Sequence, residues 1–177
     1  MSKESLIASL RTVPDYPKKG ILFWDVTTLF KDPVAFKEVE DILYEEYKDK
    51  GITKVAGIES RGFVMGAALA SRLGAGFVLI RKPGKLPADT VSMEYSLEYG
   101  HDKIEMHTDA ITEDDVVLIH DDLLATGGTA RAAVGLVQTF HPKQVYVSFI
   151  INLKDFGSVA KFPPEVPVKT VLDLEGA

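Results

Sequence analysis

Residues 116–133 read VVLIHDDLLATGGTARAA. Two adjacent carboxylates, Asp121 and Asp122, follow an apolar run, and a Thr-Gly-Gly-Thr lies just beyond them. Gly127 and Gly128 reach backbone conformations closed to other residues. Ala125 to Thr129 can therefore turn backbone N–H groups inward at a helix N-terminus and form an anion nest. Thr126 and Thr129 add hydroxyl donors. The loop suits a phosphate, but no Gly-Lys-Ser/Thr follows, so it is not the ATP-type loop. Carboxylates beside a phosphate repel it unless they serve another part of the ligand. Vicinal hydroxyls of a ribose meet that need, because each carboxylate can accept their hydrogens. A magnesium ion held by ribose and pyrophosphate oxygens relieves the remaining charge. The stretch points to a phosphorylated ribose. The competing reading is a plain strand-to-helix turn; two acids, two threonines and the apolar run before them weigh against it.

Other residues carry compatible chemistry. GIESRGF sets Glu59, Ser60 and Arg61 after a strand, where an arginine can grip pyrophosphate oxygens in a bidentate way. RKPGK holds Arg81, Lys82 and Lys85 with no acid among them. A charge run is usually a solvated face, but this one also follows a strand and can neutralise part of a polyanion. ILFWD offers Leu22, Phe23 and Trp24, either core residues or a face on which a purine stacks, worth ~1–3 kcal/mol. His101, His107 and His141 show no metal-ligand spacing, and His120 reads as a satisfied histidine at a strand end.

The elements that position these residues follow from periodicity. KVAGI, GFVLI, VVLI and VYVSFII are continuously apolar strands, as strands covered on both faces should be. RGFVMGAALASRLG, stopped by Gly74, and GTARAAVGLVQTF alternate with them as helices. This is the pattern of an α/β fold, a parallel sheet flanked by helices on both faces. A short helix is expected over Ser5 to Arg11, and ILFWDVTTLF as extended chain. DPVAFKEVEDILYEEYKD is the clearest helix, capped by Asp32 with Pro33 at its first position. VSMEYSLEY alternates strictly and predicts a half-exposed strand, turned by GHDK and returned by IEMH as a hairpin. VKTVLDL predicts a last strand.

The chain has 177 residues and a formal charge of −6, which excludes general electrostatic attraction to nucleic acid or anionic lipid. One domain with a sizeable core is expected, about 70% of the unfolded surface being buried at this length. No apolar run is long enough to span a membrane, and no cysteine is present. A cytoplasmic protein is expected.

The loop at 116–133 resembles the phosphoribosyl pyrophosphate motif of the type I phosphoribosyltransferases. The chain is similar to the branch of that family that takes adenine. The similarity runs from about residue 5 to about 155. It also takes in VPDYPKKGILFWDVTTLFKDPVAF, GIESRGFVMGAALA and RKPGKLPADTVSMEYSLEYG, in the same order. The resemblance implies a single domain: a base-binding N-terminal hood over about 1–32, an α/β core over about 33–155 and a mobile hairpin over about 83–107. It implies phosphoribosyl pyrophosphate and adenine as substrates, Mg2+ held mainly through substrate and water, and a homodimer. Asp121 and Asp122 take the ribose and Ala125, Thr126, Gly127, Gly128 and Thr129 the 5′-phosphate. Ser60, Arg61, Arg81, Lys82 and Lys85 take the pyrophosphate. Phe23 stacks on the base, Leu22 and the main chain near Trp24 flank it, and Leu153 lines the pocket. Glu98 handles a proton on the base, and Tyr99 closes over the reaction centre. The chain departs from the family at Trp24, where arginine is common, at Ala88, often glycine, and at His120, usually aliphatic. Another purine as substrate, and a non-catalytic nucleotide-sensing regulator, are the alternatives.

Overall fold

The computed structural model describes residues 1–97 and 99–176. Five parallel strands form the central sheet: β3 (Lys54–Ile58), β4 (Gly76–Ile80), β7 (Val116–Leu124), β8 (Gln144–Leu153) and β9 (Val168–Leu174). Their order is β4-β3-β7-β8-β9. Helices α3 (Pro33–Tyr47) and α4 (Glu59–Leu73) cover one face, and α5 (Gly128–Gln138) the other. Side chains alternate accordingly along β7. Val117 and Ile119 pack with Ala133 and Val137 of α5, whereas Leu118 packs with Val39 and Met65 of α3 and α4. After β3 the chain goes one way to β4, then returns to lay β7 on the other side of β3. That reversal makes the carboxyl edge of β3 and β7 a topological switch point, where open α/β sheets bind ligands.

Local chemistry accounts for the helix ends. The Asp32 carboxylate accepts from Val34 N at 2.9 Å and Ala35 N at 3.3 Å, and Pro33 opens α3. Gly74 ends α4 in the left-handed conformation at φ 70°.

Several boundaries differ from expectation. The first helix, α1, spans Lys3–Ala8, capped by Ser2, and Arg11 already belongs to β1 (Arg11–Pro14). ILFWDVTTLF is extended only over β2 (Leu22–Asp25); α2 (Thr27–Phe30) follows, its first amide held by Asp25 Oδ1 at 2.9 Å. The hairpin comprises β5 (Thr90–Leu97) and β6 (Gly100–His107), with Leu97 opposite Gly100. The reversal thus falls between those two residues, and GHDK lies inside β6. A left-handed Gly100, φ 102°, starts the return strand. Val91, Met93 and Tyr95 on the inner face of β5 pack against the core beside α5. Arg81 and Glu105 join the hairpin to the end of β4. The base of the hairpin is therefore docked, and its tip, with Tyr99, is exposed. Ala88, at the foot of β5, has φ 64°, the region that favours glycine.

Candidate active site

Three adjoining cavities open at the carboxyl edge of the sheet. The smallest, about 130 Å³, is lined by Asp121 and by Leu123 to Ala130. Gly127 turns the loop at φ 82° and α5 begins one residue later. That left-handed backbone strains any side chain, which favours glycine there. The loop is pinned from outside: Arg131 Nη1 donates to Thr126 O at 2.9 Å, and Ser158 Oγ donates to Ala125 O. Backbone amides of Gly128 and Thr129 open α5, where no intrahelical acceptor exists for them and an anion is suited.

The second cavity, about 340 Å³, shares Asp121 and Thr129 with the first and adds Ile58 to Arg61, Lys82 and Asp122. The sequence suggested that the aspartates stand beyond a strand ending near His120. Instead β7 runs on to Leu124, because β8 continues to pair with it through Asn152. On the other side β3 has ended: Gly57 pairs with His120. The aspartates thus stand free toward β3 while the strand behind them stays hydrogen-bonded.

Charge is distributed closely here. Arg61 Nε donates to Asp122 Oδ2 at 2.8 Å, Arg81 pairs with Glu59 at 3.3 Å, and Lys82 pairs with Asp102 of the hairpin. Three of the four cations singled out in the sequence already have an acid. Lys85 is exposed and lines none of the three cavities. Asp121 Oδ1 accepts from Asp122 N at 2.8 Å. Burial, and then the charge of Asp122, push the Asp121 carboxyl well above the usual range. Glu59 sits at φ 51°, a strained value for a non-glycine residue, at the β3–α4 junction. Its carboxylate accepts from Lys82 N at 2.6 Å and so ties that junction to the β4 loop.

The third cavity, about 270 Å³, is lined by Val13, Tyr16, Phe23, Asp25, Thr27 and Arg61. Arg61 borders the second cavity as well, so the two adjoin across its side chain. Tyr16 meets Phe23 edge to face at 5.1 Å. Strand alternation turns Phe23 and Asp25 to the cavity and Leu22 and Trp24 to the opposite face. Trp24 instead packs against the α3–α4 core and donates its indole N–H to Glu175 O at 3.2 Å. Leu153 is buried in that same core, off the cavity lining. Asp25 was not singled out by sequence, although its i+2 relation to Phe23 was the available signal. The Thr27 hydroxyl, with the Thr27 amide and Arg11, holds its carboxyl down at about 2.

Glu98 lies outside the described residues. His120 is fully buried; Nδ1 contacts Ser148 Oγ at 2.8 Å, but Nε2 has no partner among the described residues, so the histidine is only half satisfied there. A wider groove of about 520 Å³, around Gln138 to Val145, lies at the amino end of the sheet, away from these groups.

A glycine-turned anion loop, paired acids at a switch point and a neighbouring aromatic cavity define a transferase of the phosphoribosyl type. Residues 25–171 match the phosphoribosyl transferase domain family. The adenine phosphoribosyltransferase of Bacteroides fragilis is 61% identical over 98% of this chain and 99% of its own. The crystal structure of adenine phosphoribosyltransferase from Rhodothermus marinus superposes with a TM-score of 0.92 at 48% identity, covering 97% and 98% of the two chains. That of the Giardia lamblia APRTase complexed with 9-deazaadenine gives 0.93 at 38% identity, covering 99% of each. The chain belongs to the adenine phosphoribosyltransferase family.

Proposed function

We infer that the chain transfers the 5-phosphoribosyl group of phosphoribosyl pyrophosphate to N9 of adenine, releasing AMP and pyrophosphate, a purine-salvage reaction. The observation that carries this reading is the adjacency of the three cavities, in the order phosphate loop, paired acids with cations, and aromatic pocket. That order matches 5′-phosphate, ribose with pyrophosphate, and base along a single substrate pair. In this reading Ala125 to Thr129 anchor the phosphate and Asp121 and Asp122 hold the ribose hydroxyls. The N9 lone pair attacks C1′ as the bond from C1′ to the pyrophosphate oxygen breaks, positive charge develops on the sugar, and the imidazole N–H proton of the base passes to Glu98. The adjacent carboxylates stabilise that charge. Ser60, Arg61, Arg81 and Lys82 receive the leaving group, and Lys85 reaches it only if the loop moves. Tyr99 belongs to a tip that closes to exclude water.

Magnesium dependence is part of the proposal. The cavity wall sets Arg61 and Lys82 against Glu59, Asp121 and Asp122, so its cations are outnumbered before a polyanion enters. Among the described residues no group of three His, Cys, Asp or Glu could share an ion. A metal held through substrate oxygens and water would neutralise the departing pyrophosphate. A homodimer and a cytoplasmic location are carried by the family likeness alone.

The reading is tested with a base panel of adenine, hypoxanthine, guanine and xanthine, each with phosphoribosyl pyrophosphate and magnesium. Pyrophosphate release with adenine at least about a hundredfold faster than with the others is expected; a preference for an oxo-purine overturns the base assignment. Within the aromatic pocket, Phe23→Ala removes a stacking face worth ~1–3 kcal/mol. The KM for adenine should rise tenfold or more, with the KM for phosphoribosyl pyrophosphate little changed. Equal rises would return Phe23 to a purely structural role.

A further inference from the structure

The Tyr95 hydroxyl has its whole hydrogen-bonding capacity in use. It donates to Asp102 Oδ2 at 3.1 Å, and accepts from Lys82 Nζ at 2.8 Å and from Thr129 Oγ1 at 3.1 Å. Lys82 also pairs directly with Asp102. Three separate pieces of chain thus converge on one oxygen: the loop after β4, the opening turn of α5, and the hairpin. Their other ends matter equally. Lys82 and Thr129 both line the cavity of the paired acids, and Thr129 also lines the phosphate loop. Two of the three ammonium protons of Lys82 are committed to the hairpin, which leaves one for a ligand oxygen. An isolated surface ion pair would be worth little. A network that converges on one hydroxyl instead fixes where the ammonium stands.

We propose that Tyr95 and Asp102 are positioning residues: they hold the Lys82 ammonium at the rim where the pyrophosphate group sits, and tie that rim through Thr129 to the phosphate loop. The hairpin then prepares the leaving-group end through its docked base, independently of its exposed tip. This inference rests on the phosphoribosyl pyrophosphate reading.

The test measures binding of magnesium pyrophosphate and of AMP to the full chain by calorimetry. AMP binding by the unaltered chain checks the underlying reading separately. For Asp102→Asn, pyrophosphate affinity should fall about tenfold while AMP affinity stays within twofold, since AMP has no group at that rim. Tyr95→Phe keeps the ring against the Gly128 turn and should lose a similar factor for pyrophosphate. Combining Asp102→Asn with Lys82→Met should weaken pyrophosphate no more than Lys82→Met alone. Unchanged or tighter pyrophosphate binding by Asp102→Asn, an equal loss for AMP, or additive losses in the combined variant each overturn the proposal. If Tyr95→Phe fails to fold, the two Asp102 measurements decide.

Discussion

Replacing Asp121 and Asp122 together by asparagine should lower kcat/KM by about a thousandfold or more and leave the melting temperature unchanged or raised. The size follows from the loss of preorganised charge beside a developing cation, where one such group is commonly worth ~10²–10³ in rate. The stability half follows from the site itself. Asp121 is pushed up by burial and by the neighbouring carboxylate, so the folded chain bears a repulsive pair that asparagine removes. Asparagine keeps the volume, and its amide oxygen can still accept from Asp122 N or its replacement. Arg61, which loses its partner, is more than half exposed and stays hydrated. Turnover assays and thermal melts of the same preparation decide the matter. Near-normal turnover removes the acids from the mechanism, and a lower melting temperature shows that the pair serves the fold.

The second large effect is a pH dependence of stability. Burial pulls the His120 imidazole down to about 4 from an ordinary 6.5, against an opposing pull from Asp122. Its folded value lies below its unfolded one, so the unfolded chain takes up the proton first. Stability from the neutral buried ring is therefore present above pH 6.5 and drains away as pH falls toward 4. The difference corresponds to about 3 kcal/mol, or roughly 6–12 °C in melting temperature for a domain of this size. Asp121 works in the opposite sense, since a carboxyl with a raised value binds its proton more readily when folded. His120→Val isolates the imidazole: its melting temperature should depend on pH less steeply than the native chain's over this interval. Parallel curves would show that Nε2 finds a proton acceptor in solution.

Much of this molecule could be read from its residues. KVAGI and GFVLI are strands with the expected bounds, because a covered parallel strand has no polar interruption to confuse its ends. The expected third strand stopped short of the acids because charge ordinarily marks a strand's end. Here the backbone pairs onward with β8 while only the β3 side falls away, a matter of neighbours that a single segment does not encode. The tilt of Leu22, Phe23 and Trp24 was equally hidden. Any of them can stack on a base, and it is the pairing with β1 and the indole's bond to Glu175 that turn Trp24 away. Tyr95 was legible as an inward residue of an alternating strand, yet its hydroxyl partners come from residues 82, 102 and 129, which only the folded chain brings together. The pairing of Arg61, Arg81 and Lys82 with acids was invisible for the same reason.

The order of the strands has a mechanical consequence. β7 is the middle strand of five, gripped on both flanks, and everything assigned to the sugar phosphate hangs from it or from the helix it feeds. The groups assigned to the departing pyrophosphate hang mainly from the loop after β4, the marginal strand, and from the hairpin bridged to it. The molecule resembles a vice with one jaw cast into the bench and the other bolted on at its edge. Substitutions on the bolted side should retune product release before they loosen the grip on the pentose.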